Sequence, residues 1–290
     1  GQLGMDVPPH PPAEDVNAEY SKVWANLNGR PIDVIADLPP MADPAKQASM
    51  RLLAELWPPA YFTDFNLVVV VVCKMVNLSL LHGSTHLSNQ GFALLGWLMG
   101  PVFGRFDEGY RVCQLAYGLA AERDSVLDHG RTCLTMALTS SWTQPLDVSL
   151  GKFRDAIRLA VEAGDLYFAC YCGYLGSSHL LVRGQGLAEA QEECRKYLKF
   201  GNDVGFANAA AVTATVERTI ACLLGQTRSL TDFTDDTFDG AAFEASLATS
   251  RMNNLVQWYW QRKTLLHFMA GEFDEAPAAS SRVDTDPLSR

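Results

Sequence analysis

The sequence predicts an all-α protein, a helical-repeat solenoid of stacked antiparallel helix pairs. Three observations predict it. Apolar stretches of helical length alternate with glycine or proline breaks over most of the 290 residues. No alternating apolar–polar run bounded by hairpin turns occurs, so nothing reads as a sheet strand. A short motif of glycine, apolar residue and acid recurs along the chain.

The elements follow in order. The proline-rich start, DVPPHPP, reads as an extended lead, and residues 13–27 as a polar helix with Val16, Tyr20, Val23 and Trp24 on one face. A short segment spans 31–37. Asp43 then caps a helix with Pro44 at its first position, where a missing N–H costs nothing, and Pro58 and Pro59 are expected to end it. The run VVVVV has strand propensity, yet it lies inside NLVVVVVCKMVNLSLLHG, too long for a strand and stopped at Gly83. It reads as a fully buried helix. Further helices are expected over 86–102, 107–122, 126–141, 146–163, 166–182, 187–201, 204–224, 241–270 (in two pieces) and from 273 onward.

The recurring motif is GRFDEGY (104–110), GKFRDA (151–156), GQGLAEA (184–190) and GEFDEA (271–276). The glycines stand 47, 33 and 87 residues apart. Two-helix repeats run to roughly 34–47 residues, so the first two spacings are near one unit and the third near two. The pattern is a divergent tetratricopeptide-like one. Glycine closes one helix, and the acids open the next, because negative charge favours a helix N-terminus. On this reading Asp107 and Glu108 start a helix and are not an acid–base pair. Phe106 and Phe273 are expected to be buried between neighbours, so that either change to Ala costs about 3–5 kcal/mol. The division that follows is a lead with short helices over 1–40, an array over 41–276 and a tail over 277–290.

Composition narrows the function. A formal net charge of −10 argues against a phosphate-binding surface, so nucleic acid is not an expected partner. The longest apolar stretches fall short of the roughly 20 residues that span a bilayer, and no basic segment precedes an apolar run. The chain therefore reads as soluble, without membrane insertion, and as compatible with a piece cut from something larger. Seven scattered cysteines, an odd number, fit buried reduced thiols in a cytoplasmic protein. The close pair Cys170 and Cys172 points about 200° apart on a helix, against a metal or redox pair.

Motifs for catalysis or cofactors are missing. There is no phosphate-cradling GxxxxGK[ST], and no HExxH, GxSxG or paired CxxC. His82 and His86 have the i, i+4 spacing of a metal pair, but Gly83 between them favours a helix end. The acidic stretch TDFTDDTFDG (231–240) lacks the alternating oxygen ligands and closing Glu of a calcium loop, and reads as a solvated connection. Trp258, Tyr259 and Trp260 form an aromatic cluster that either lines a recognition groove or packs on a neighbouring repeat. No catalytic, cofactor-binding or metal-binding residue is assigned, and no cofactor is expected.

Several stretches depart from a generic helical chain: the approach PPHP…EY…VW…L..RPI…DLP.M.DP, then LWPPAY, KMVNLSL and AGDLYFACYCGY before Gly184. On these the chain, over most of residues 5–276, resembles the helical segment that follows the ATPase module of large multi-sensor hybrid histidine kinases and serine/threonine kinase–ATPase–histidine kinase fusions. The resemblance implies a tetratricopeptide-like array inside a cytoplasmic signalling protein. Kinase-like and ATPase domains would precede it, and GAF and histidine-kinase or cyclase-type domains would follow. It carries over no catalytic residue, since the phosphoacceptor histidine and ATP site of such proteins lie outside this region. The first expectation is a non-enzymatic regulatory segment that binds a protein, peptide or small ligand and couples those flanking domains. A free-standing tetratricopeptide adaptor is the alternative, and an all-α enzyme with an unrecognised pocket stands third.

Overall fold

The computed structural model describes residues 7–122, 125–184, 186–250 and 252–283. Among these the chain is helical, with no β-strand and only two isolated bridges, Pro40 with Ser84 and Ser229 with Asp232. It divides into two compact units, one ending at Gly164 and the other beginning at Asp165.

The first unit holds α1 (Ala13–Leu27), a 3₁₀ turn (Ile32–Asp37), α2 (Pro44–Tyr61), α3 (Phe65–His82), α4 (His86–Phe103), α5 (Phe106–Ala121), α6 (Val126–Ser140) and α7 (Leu146–Glu162). Helix α3 is the centre of its core. It is long and apolar enough to cross a membrane by composition, yet 72% of it is buried inside the fold, against α1, α2 and α4. The valine run is therefore a core helix, and its burial on all sides explains why no polar face interrupts it. Asp64 caps it, accepting the Leu67 N–H at 3.0 Å, and His10 Nδ1 lies 2.9 Å from the same carboxylate. That contact, with Asn66 donating to the Pro11 carbonyl, ties the proline-rich lead to the start of α3. The part of the lead before Val7 lies outside the described residues.

The turn from α3 to α4 is pinned from outside. Ser84 N–H donates to the Pro39 carbonyl and Met41 N–H to that of Ser84, at 2.7 and 2.9 Å. Gly83 sits there at φ +95°, where a Cβ would come within 2.4 Å of the Pro39 oxygen, so only glycine fits. Helices α4 and α5 meet backbone to backbone. A Cβ on Gly96 would stand 2.5 Å from the Gly109 carbonyl oxygen, and one on Gly109 2.3 Å from that of Gly96.

The second unit holds α8 (Leu166–Arg183), α9 (Leu187–Val204), α10 (Ala207–Leu223), α11 (Gly240–Leu247), α12 (Asn253–Ala270) and α13 (Glu275–Ser280). Consecutive helices pack together from α2 to α7 in the first unit, and as α8 with α9, α9 with α10 and α12 with α13 in the second. Second neighbours also pack, as α2 with α4, α4 with α6, α8 with α10, and α10 with α12. This is the contact order of stacked helix pairs.

Three expectations need correction. Helix α2 does not end at Pro58 and Pro59; it runs through both to Tyr61. Proline's fixed φ is helical, so the turn continues although the Ala54 and Glu55 carbonyls lose their i+4 donors. Gly151 does not close a helix: it lies inside α7, with nothing within 4 Å of where its Cβ would be. The glycines that do stand at helix ends, with positive φ, include Gly104, Gly184, Gly205 and Gly271. Finally, Phe106 and Phe273 are not buried, keeping 38% and 64% of their surface exposed. Phe106 lies on Gly100 and against the exposed Trp142 ring at 5.7 Å, and Phe273 meets the exposed Phe268 ring at 5.7 Å. The aromatic that is buried in this motif is Phe153, the one in the middle of a helix. Residues 284–290 of the expected tail lie outside the described residues, as does Gln185 of the third motif copy.

Candidate functional site

The two features singled out in the second half of the sequence, TDFTDDTFDG and Trp258-Tyr259-Trp260, come together. Between them lies an open cavity of about 570 Å³. That is within the roughly 300–1,000 Å³ of small-molecule sites.

Its floor is the acidic loop, which is exposed at Asp236, Thr237 and Asp239 and also folds on itself. Asp232 accepts the Thr234 N–H at 2.9 Å. Asp235 accepts Thr237 N–H, Thr237 Oγ1–H and Phe238 N–H at 2.7–2.9 Å. Asp239 caps α11 by accepting the Ala242 N–H at 2.9 Å. Three of the four acids are thus spent on local backbone groups, the ordinary use of Asp in turns and caps. Partial burial works against ionisation of Asp235, but the Thr237 hydrogen bonds and the Arg218 guanidinium hold its carboxyl at about 2. Asp232 is likewise lowered: its Thr234 bonds and nearby Arg228 and Lys263 outweigh the opposing effect of burial.

The loop is anchored below. Arg218, buried on α10, pairs with Asp235 and with Glu217, whose side chain is 2% exposed. Glu217 also accepts Gln191 Nε2–H at 3.0 Å and Arg195 Nε–H at 2.9 Å from α9. A buried carboxylate survives only with such partners. Phe233 is inserted from the loop, 1% exposed and edge-on to Tyr259 with centroids 5.5 Å apart.

The walls are two facing helices. Val256, Tyr259, Trp260 and Lys263 of α12 recur at i, i+3, i+4 and i+7, one stripe rising about 10 Å. Opposite stand Gly240, Ala241, Glu244, Ala245, Leu247 and Ala248 from α11 and its end, small but for Glu244 and Leu247. The small wall leaves the space. Tyr259 Oη–H donates to Glu244 Oε2 at 2.6 Å across the slot. Burial first, and then this bond to a carboxylate, push the Tyr259 phenol far up. Arg282 closes one side, its guanidinium 4.2 Å from the Trp260 ring centre and 3.7 Å from Glu244 Oε1. Lys263 donates to the Thr231 carbonyl and lies 5.5 Å from the Phe233 ring centre.

The rings of the aromatic cluster divide between a cavity and a neighbouring helix. Tyr259 and Trp260 line the cavity, while Trp258 packs on Tyr174 of α8 at 5.3 Å. Sequence reasoning missed Glu244, Lys263 and Arg282. The small residues of GAAFEASLA at helical spacing opposite an aromatic stripe were the available signal for the wall; nothing in the sequence marks Arg282.

The other candidates separate. His82 ends α3 and His86 starts α4, both exposed. All seven cysteines are buried, and none forms a disulfide among the described residues. Burial pushes the thiols of Cys73, Cys113 and Cys133 to about 12 and that of Cys194 to about 11, which keeps them protonated and unreactive. Asp107 is exposed and Glu108 pairs with Arg105, both in the first turn of α5. Among the described residues no group of three His, Cys, Asp or Glu is placed to hold a metal ion.

No family profile matches the chain, and no solved structure does. It is similar to the hybrid signal transduction histidine kinase G of Dictyostelium discoideum, at 20% identity over 73% of this chain. The chain spans 7% of the length of that protein. The similarity points to a signal-transduction context and assigns no residue a role.

Proposed function

We propose that the chain is a non-catalytic regulatory segment of a multidomain signal-transduction kinase. It is a tetratricopeptide-like array that binds a ligand in the α11–α12 cavity and couples the kinase, ATPase and sensor domains flanking it, in the cytoplasm. The single observation that carries the binding role is the cavity itself. Aromatic rings, two carboxylates and two cations converge on a slot that a single small-residue wall keeps open. The kinase context is supported by the weak similarity to the Dictyostelium protein. Coupling would follow if the ligand binds one arrangement of the flanking domains better than another, since only differential affinity shifts such an equilibrium.

The test is made in the longer protein. Ala245 is exposed at the slot, so Ala245→Trp fills it without disturbing a core. Autophosphorylation should lose its response to signal while circular dichroism of the segment stays unchanged. A full response with the slot filled would overturn the reading. One observation favours the adaptor alternative: Leu265, Phe268 and Met269 form an exposed apolar stripe on α12, continued by Phe273. Retained response in the filled variant, lost on Phe268→Asp, would move the binding role to that stripe.

A further inference from the structure

We infer that the α11–α12 cavity is a seat for an organic cation, a guanidinium or alkylammonium group, and that Arg282 holds this seat from within the chain until such a ligand displaces it. The inference rests on the cavity being the ligand site proposed above.

The walls carry cation-recognising chemistry. Aromatic faces attract cations within about 6 Å of the ring centre. Both protein cations at the cavity sit in that manner, Arg282 over Trp260 at 4.2 Å and Lys263 by Phe233 at 5.5 Å. Their commitments differ. Lys263 donates to the Thr231 carbonyl and so belongs to the folded loop. Arg282 makes no such bond: at 3.7 Å from Glu244 Oε1 it is beyond hydrogen-bond reach, and its side chain is 59% exposed. An exposed ion pair of this kind is weak and easily exchanged.

Glu244 is left half used. Its Oε2 is fixed by the Tyr259 hydroxyl, which orients the carboxylate, while among the described residues Oε1 faces only the distant guanidinium. A free cation entering the slot would reach Oε1 at hydrogen-bond distance and place its charge on Trp260. It would also bury its apolar body against Val256 and Tyr259 opposite the alanines. The cavity, about 570 Å³, has room for that body as well as the charged head. An anion fits less well, because Asp232 and Glu244 both line the slot and Lys263 is already engaged.

The test uses calorimetric titration of the 290-residue chain with butylguanidinium and with its neutral isostere, butylurea. Butylguanidinium should bind and butylurea should not. Glu244→Gln should weaken binding about tenfold, the scale of one lost charge-assisted contact. Arg282→Ala should tighten it severalfold, because the internal competitor is gone; a merely structural Arg282 would give no such gain. Equal binding of the two probes, no binding of either, or weaker binding by Arg282→Ala would overturn the inference. A Gly-Arg-Gly tripeptide that binds better than butylguanidinium would identify the cation as a partner's arginine side chain, and the reverse order a free small molecule. The two proposals fail separately. If neither probe binds but Ala245→Trp still silences the kinase, the cation seat falls and the regulatory site stands. If the probes behave as expected while kinase output ignores Ala245→Trp, the regulatory role falls.

Discussion

Phe153 is 1% exposed inside α7, and Phe273, in a near-identical sequence setting, is 64% exposed after α12. The same three letters, glycine, any residue, phenylalanine, therefore carry opposite energetics. Truncating a buried Phe removes its transfer energy and leaves a cavity, about 3–5 kcal/mol, whereas an exposed ring has little to lose. Phe153→Ala should thus lower the urea midpoint strongly, and Phe273→Ala should move stability by about 0.5 kcal/mol or less. Asp235 supplies a second residue-scale prediction. Its carboxyl is held at about 2 in the fold against 3.8 unfolded. A lowered pKa means that the stabilisation is fully present above the unfolded value and is lost as pH falls through the folded one. Stability of the second unit should fall between about pH 4 and pH 2, and Asp235→Asn should flatten that part of the curve. An unchanged slope in the variant would show that Arg218 and the Thr237 bonds do not set it.

Helix ends decide which glycines matter. Gly104 caps α4 at φ +69°, a conformation costly for any residue with a Cβ, while Gly151 sits mid-helix in α7 with open space around it. Glycine within a helix costs roughly 0.5–1 kcal/mol relative to Ala. Gly151→Ala should therefore stabilise by that amount and Gly104→Ala destabilise by a similar amount or more, with thermal melts reading both signs. The contrast explains what was legible in the sequence. The helices themselves followed from apolar periodicity and breaker residues, because both act within a few positions, and Asp43 caps α2 as local chemistry requires. What was not legible depends on the partner across the gap. Burial of Phe153 over Phe106, the folded acidic loop held by Arg218, and the Gly96–Gly109 contact all need the neighbouring helix to be known. The cavity shares that limit, since its lining comes from α11, α12 and segments up to Arg282.

Each unit carries its own apolar core. In the first, α3 supplies residues such as Val68, Val71 and Met75, all fully buried. In the second, Val212, Phe233, Tyr259 and Leu266 do the same. Native proteins open in cooperative pieces, and a substitution raises the opening of the piece whose core it damages. Val71→Ala removes two methyl groups from a fully buried site in the first core and should cost on the order of 1–3 kcal/mol. Hydrogen exchange followed by mass spectrometry should therefore show faster exchange in α1–α4, the helices packed on or around α3. Amides of α10 and α12 exchange through openings of the second core, which the substitution does not touch, and should keep their protection. The converse variant, Leu266→Ala, should speed α10 and α12 and leave α3 slow. If either substitution loosens both sets of helices equally, exchange is governed by one global opening and the two cores act as a single cooperative body.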